Sequence, residues 1–228
     1  MIIDTFVNSG YFDKMSDSDK IARHLHPQMD KEQIIAHYAK RIVPFTETEK
    51  RLIQKIDADL KAILNTKWKR AALIKWSYVK TIDLENNFPH THGNIICIPH
   101  TIMGFEYNKL LKVIVHEFVH VFQRMEPIIT NRFIEEFGYK PHGQRESYDY
   151  NIRLNPDTNN IIYRNKEGRV ELMVYSTESP SSLLDTHNIL IYGGDVFKTV
   201  SNSKTEHPFE YMAYFLTDML VDDSGKNK

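Results

Sequence analysis

Val113-Ile114-Val115-His116-Glu117-Phe118-Val119-His120-Val121-Phe122 is the run around which the rest of the chain is organised. Every position in it except three is apolar, so a helix here is buried on all sides. Asn108 stands ahead as a capping residue and Pro127 lies just beyond, which predicts a helix from Lys109 to about Met125. His116 and His120 are four apart and share one face, one turn above the other. Two imidazoles so placed can both reach one Zn²⁺ at about 2.0–2.1 Å. Glu117 projects beside them, where it can take a proton from a water on the metal and pass it to a leaving amine. The bland alternative is a core helix whose three polar groups are merely hydrogen-bonded. Burying them with neither metal nor a wet cleft is expensive, which favours the metal.

Upstream, Ser16 to Lys31 reads as a loop or short helix, followed by a helix from about Lys31 to Arg41 that Pro44 ends. Thr46 with Glu49 forms a capping-box pattern, and Ile53, Ile56, Leu60, Ile63 and Leu64 recur at helical spacing, predicting a helix from Glu47 to Leu64. Ala72 to Ile82 and Asn94 to Pro99 are strand candidates, the second entered through the turn-like Pro89-His90-Thr91-His92-Gly93. Ile161 to Val174 reads as a hairpin around Asn165-Lys166-Glu167-Gly168. Pro208 suits the first position of a last helix ending near Leu220, and the tail from Asp222 to Lys228 is expected to be disordered. This order of elements implies an α+β fold, with an N-terminal helical segment (1–65) packed on a domain spanning 66–221.

Composition narrows the function. The chain has 228 residues, 41% hydrophobic and 26% charged, consistent with one soluble domain able to bury a core without disulfides. A net charge of −1 gives no electrostatic reason to expect nucleic acid as a partner, and no run is long and apolar enough to expect a membrane. One cysteine, Cys97, lies inside an apolar strand candidate and reads as a buried thiol. Met1-Ile2-Ile3-Asp4 lacks the features of a secretory signal.

The segment from Val113 to Phe122 resembles the active-site helix of zincin metallopeptidases, where His-Glu-x-x-His sits in an apolar frame. The metzincin branch requires Gly and then His further on; Gln123 and Glu126 stand there instead. Gluzincins take a third ligand from a glutamate on a later helix, and Thr205-Glu206-His207-Pro208-Phe209-Glu210-Tyr211-Met212-Ala213 is similar to that helix. The resemblance therefore implies a zincin-like domain with a small mixed or antiparallel sheet, and Zn²⁺ held by His116, His120 and Glu210. An acid in a first helical turn is also favoured by the helix dipole alone, and His207, Glu135 or Glu136 are competing ligands. Where gluzincins often carry an Asp that orients the first histidine, Tyr214 stands.

In zincins a strand along the upper edge of the cleft pairs with substrate backbone, and Pro89 to Pro99 is placed to be that strand, which puts His90, Asn94 and Ile96 at the substrate. His90 and His92 are also readable as plain turn residues. For the donor to the developing oxyanion, Tyr211 and His207 are the leading candidates, with Tyr192 and Arg153 also chemically able. Pro89 to Gly93 together with His116 to Arg124 further resembles small metallopeptidase-like proteins of large DNA viruses. These resemblances imply a peptide or protein substrate and a cytoplasmic or virion-associated location. The rival reading is a protein that keeps the scaffold for binding or structure without turnover.

Overall fold

The cap of the long fourth helix forms as its sequence predicts. Thr46 donates its backbone N–H to the Glu49 carboxylate at 2.6 Å, and Glu49 N–H returns to Thr46 Oγ1 at 3.3 Å. In the computed structural model, which describes residues 2–199 and 206–221, this helix is α4 (Glu47–Lys67). Before it come α1 (Ile2–Asn8), α2 (Asp17–Ala22), α3 (Lys31–Ala39) and the short strand β1 (Ile42–Val43). After it come β2 (Ser77–Thr81), β3 (His90–His92), β4 (Ile95–Pro99), α5 (Tyr107–Met125) and α6 (Pro127–Glu136). The remainder is β5 (Lys140–Gln144), β6 (Ile161–Arg164), β7 (Val170–Tyr175), β8 (Thr186–Tyr192), β9 (Asp195–Thr199) and α7 (Pro208–Val221). The expectation for the tail from Asp222 to Lys228 lies outside the described residues.

The architecture is α+β with two sheets among the described residues. The first is mixed, in the order β1-β2-β4-β3, with β2 and β4 parallel and both outer pairs antiparallel. The second is an antiparallel meander, β5-β6-β7-β8-β9. No described helix is long and apolar enough to cross a membrane.

One apolar cluster joins α4, α5, α7 and the mixed sheet. Ile56, Leu60 and Leu64 of α4 meet Ile114, Phe118 and Phe122 of α5 and Met212 and Ala213 of α7, with Ile96 and Ile98 beneath. Fully burying each large side chain contributes about 1.5–3 kcal/mol, against the entropy of ordering it. A second cluster, centred on Phe6, Phe12, Ile34 and Tyr38, lies in the N-terminal helices. So α4 shares the core of the two helices that carry the histidines and Glu210, α1 and α3 pack in the second cluster with Leu84 and Leu154, and Ala22 of α2 packs on Tyr175 and Leu183.

Several boundaries differ from those predicted. Helix α5 starts at Tyr107, and the residue at its N-cap is Glu106, with no side-chain cap bond. Pro127 does not simply close α5. It opens α6, where a fixed φ and a missing N–H suit the first helical position. Strand β3 occupies what reads as a turn, because His90 to His92 pair with Ile95 to Cys97.

Ahead of β3 the backbone is strained. Asp83, Glu85, Asn86 and Asn87 all have positive φ, between +46° and +57°. Left-handed non-glycine residues cost about 1–2 kcal/mol each and persist where their surroundings hold them. Here Glu85 is held by Tyr11 Oη at 2.7 Å, by Arg23 Nε at 3.0 Å and by the Tyr38 hydroxyl. All four side chains are buried.

Candidate metal centre

Helical spacing places His116 and His120 on the side of α5 that faces α7, and Glu210 lies in the first turn of α7. The two histidine Nε2 atoms are 3.1 Å apart. Glu210 Oε2 lies 3.4 Å from His116 Nε2 and 3.7 Å from His120 Nε2. Ligands at about 2.0–2.1 Å from one tetrahedral ion stand about 3.3 Å apart, so this set of donors fits Zn²⁺. Among the described residues these three form the one group of His, Cys, Asp and Glu side chains close enough to share an ion.

Two of these three side chains are each aimed by a neighbour. His120 Nδ1 is 2.9 Å from Gln123 Oε1, and Gln123 Nε2 donates to the Phe209 carbonyl at 2.8 Å. A backbone carbonyl can only accept, so the Gln123 amide must turn its N–H₂ to Phe209 and its oxygen to His120. His120 must then carry its proton on Nδ1, which leaves the Nε2 lone pair facing Glu210 and His116. Asn155 Nδ2 donates to Glu210 Oε1 at 2.9 Å, leaving Oε2 to face the histidines. Tyr214 packs beside His116, with ring centroids 4.5 Å apart.

Electrostatics suit a cation. Burial alone would raise the Glu210 carboxyl, but His120, His116 and Asn155 outweigh it and hold the group at about 2. Burial pushes His120 down, against the pull of Glu210, so it stays neutral and able to ligate. Burial pushes Glu117 well up, Asp157 and Glu210 add to that, and Arg124 opposes it. Glu117 Oε2 is buried with no hydrogen-bond partner. Such an orphan is the state expected of an acid that serves a metal or a water beside it.

The centre opens into a cleft of about 650 Å³. Glu117, His90, Tyr214 and Arg153 line it, together with Asn155 and Asp157 from the segment ahead of β6. Its apolar wall comes from Phe88, Met173, Leu183 and Leu184. Arg153 is engaged with Glu206 at 3.1 Å.

Other expected residues lie elsewhere. Tyr211 packs against Phe137, Tyr139 and Phe215 and does not line the cleft, because one residue past Glu210 is about 100° around α7. His207 is outside the cleft: Nε2 bonds the Ile161 carbonyl and Nδ1 accepts from Phe209 N–H, and burial holds the ring at about 4. With both nitrogens taken it is excluded as an alternative ligand. Glu135 and Glu136 are exposed at the end of α6. Asn94 donates to the Lys75 carbonyl at 3.2 Å, and Ile96 is fully buried in the central cluster. Neither lines the cleft: Asn94 sits in the turn between β3 and β4, and Ile96 lies on β4, an interior strand. His92 is not an exposed turn residue either: its ring is boxed by Phe6, Tyr11, Phe12 and Tyr38. Tyr192, half exposed at the end of β8, lies outside the cleft lining.

Gln123, Asn155 and Asp157 carry roles that sequence spacing does not announce. Comparison with known proteins finds no matching family model, no matching curated protein and no matching solved structure.

Proposed function

We propose that this chain is a gluzincin-type zinc peptidase on a zincin-like fold, with His116, His120 and Glu210 as ligands. The observation that carries the reading is the convergence of those three donors beside the unpartnered carboxylate oxygen of Glu117. Three protein ligands leave one coordination position open, as in catalytic zinc sites and unlike closed four-ligand structural ones. Zinc, when bound, acidifies a coordinated water and polarises the scissile carbonyl. Glu117 accepts the proton of the attacking water and delivers it to the leaving amine. A cation at the triad offsets the two carboxylates that lift Glu117, so its ionised form becomes available. Gln123 and Asn155 keep His120 and Glu210 in the orientation that ligation needs.

The test is zinc per chain by elemental analysis on protein purified without added metal, with Glu210→Ala in parallel. About one zinc in the wild type and a sharp loss in the variant are expected. Glu117→Gln should keep its zinc and lose peptide hydrolysis by about 10²-fold or more. No zinc after reconstitution, or undiminished hydrolysis by a zinc-loaded Glu117→Gln protein, overturns the proposal.

A further inference from the structure

Strand β3 is the edge of the mixed sheet beside the metal cleft, and an extended substrate would have to pair with its outer side. Along an antiparallel strand, alternate residues point their backbone groups inward and outward. Thr91 N–H points outward and donates to Asp157 Oδ1 at 2.7 Å. The Thr91 hydroxyl binds the same oxygen at 2.6 Å. Arg124 fixes this arrangement from α5: it reaches the Thr91 hydroxyl, the Thr91 carbonyl at 3.4 Å and the Pro156 carbonyl, and lies 3.6 Å from Asp157. The outward position before Thr91 is Pro89, which has no N–H at all. The edge of β3 therefore offers an incoming peptide no free backbone donor, because the 155–157 segment already occupies it.

We infer that this site acts on short oligopeptides or chain ends, held by side chains and termini, and not on long extended segments added to β3 as a strand. The inference rests on the peptidase reading. Residues of a substrate lying outside the cleft would each cost about 1–2 kcal/mol of backbone ordering with no ladder of hydrogen bonds to offset it. The cleft itself supplies what a short ligand needs: an apolar wall of Phe88, Met173 and Leu184, and an exposed acid, Asp218, to meet a peptide's amino terminus. Its volume of about 650 Å³ falls among pockets that enclose small ligands.

The test is a ladder of peptides, from dipeptide to octapeptide, sharing one scissile bond and hydrolysed by the zinc-loaded full chain. A parallel series of peptide hydroxamates is titrated by calorimetry. The expected result is a kcat/KM and an affinity that level off by about five residues, as a pocket without strand pairing requires. The Thr91 amide should exchange slowly in the free protein and keep that rate when a hydroxamate binds. Values that climb about tenfold or more between pentapeptide and octapeptide overturn this inference and leave the peptidase reading standing. Hydroxamates that bind while no peptide of any length is cleaved overturn both.

Discussion

Gln123 donates its side-chain amide to the Phe209 carbonyl, one residue before Glu210, while its oxygen receives His120. One side chain thus ties α5 to α7 and also fixes which nitrogen of His120 is free. Gln123→Ala should lower zinc affinity by about 10–100-fold, measured by competition with a chromophoric chelator. Gln123→Glu keeps an acceptor for His120 but sets a carboxylate against the Phe209 carbonyl, and should not restore wild-type affinity.

Asn155 acts on Glu210, across the candidate centre from Gln123. Asn155→Ala leaves Glu210 Oε1 without its partner and should cost about tenfold in zinc affinity. Asn155→Asp places a second acid against Glu210 and should cost more. Equal affinity in all three proteins, by the same competition, would remove Asn155 from any part in ligation.

His92 gives the fold a sensitivity to acid. Its ring lies in contact with Phe6 and Phe12 at centroid distances of 4.9 and 5.3 Å, and both nitrogens are buried without partners. Burial, with His90 and the two nearby arginines, holds it well below the ordinary value. Above pH of about 6.5 neither folded nor unfolded chains carry the proton. Below it the unfolded chain takes up a proton that the folded chain refuses. Stability should then fall by about 1.4 kcal/mol per pH unit until the folded value is reached. His92→Phe keeps a ring in the box and removes two unsatisfied nitrogens. Urea unfolding at pH of about 7.5 and about 5.5, on either side of that threshold, should show the variant losing less stability than the wild type.

The Arg23–Glu85 pair is buried on both sides, with side-chain exposures of 2% each. Removing one partner strands the other, so Arg23→Met should destabilise by about 3–5 kcal/mol. Arg23→Met with Glu85→Gln should recover part of that loss. Denaturant midpoints of the two variants check the order; a double variant no more stable than the single would count against the pair as the cause.

The half of the site that lies on one helix was legible in the sequence. His116 and His120 are set by a spacing of four, with Glu117 beside the first, and local geometry carries that without reference to the rest of the chain. The helices α4 and α7 were legible for the same reason, from a capping box and from Pro208. The α+β class followed from element order, but β5, β8 and β9 did not, since their apolar alternation is weak and their pairing partners lie in other segments. Contacts between distant segments left no mark: Thr91 meets Asp157 across 66 residues, Asn155 meets Glu210 across 55 and Gln123 meets Phe209 across 86. Tyr211 and His207 show the converse. Their chemistry suited an oxyanion donor, but one faces the wrong way round α7 and the other spends both nitrogens on backbone.

Arg23 reaches Glu85, the Asp19 carbonyl, the Tyr175 hydroxyl and the Leu154 carbonyl from a single guanidinium. It therefore bolts the N-terminal helices, the turn ahead of β3, the meander and the segment beside the candidate metal centre to one another. Among the described residues, these bonds run from the N-terminal helices to the Leu154 end of the cleft wall and oppose a parting of the two. The same guanidinium that neutralises Glu85 thus also holds the wall of the cleft, so the acid-base balance of the N-terminal helices and the shape of the candidate site depend on one side chain.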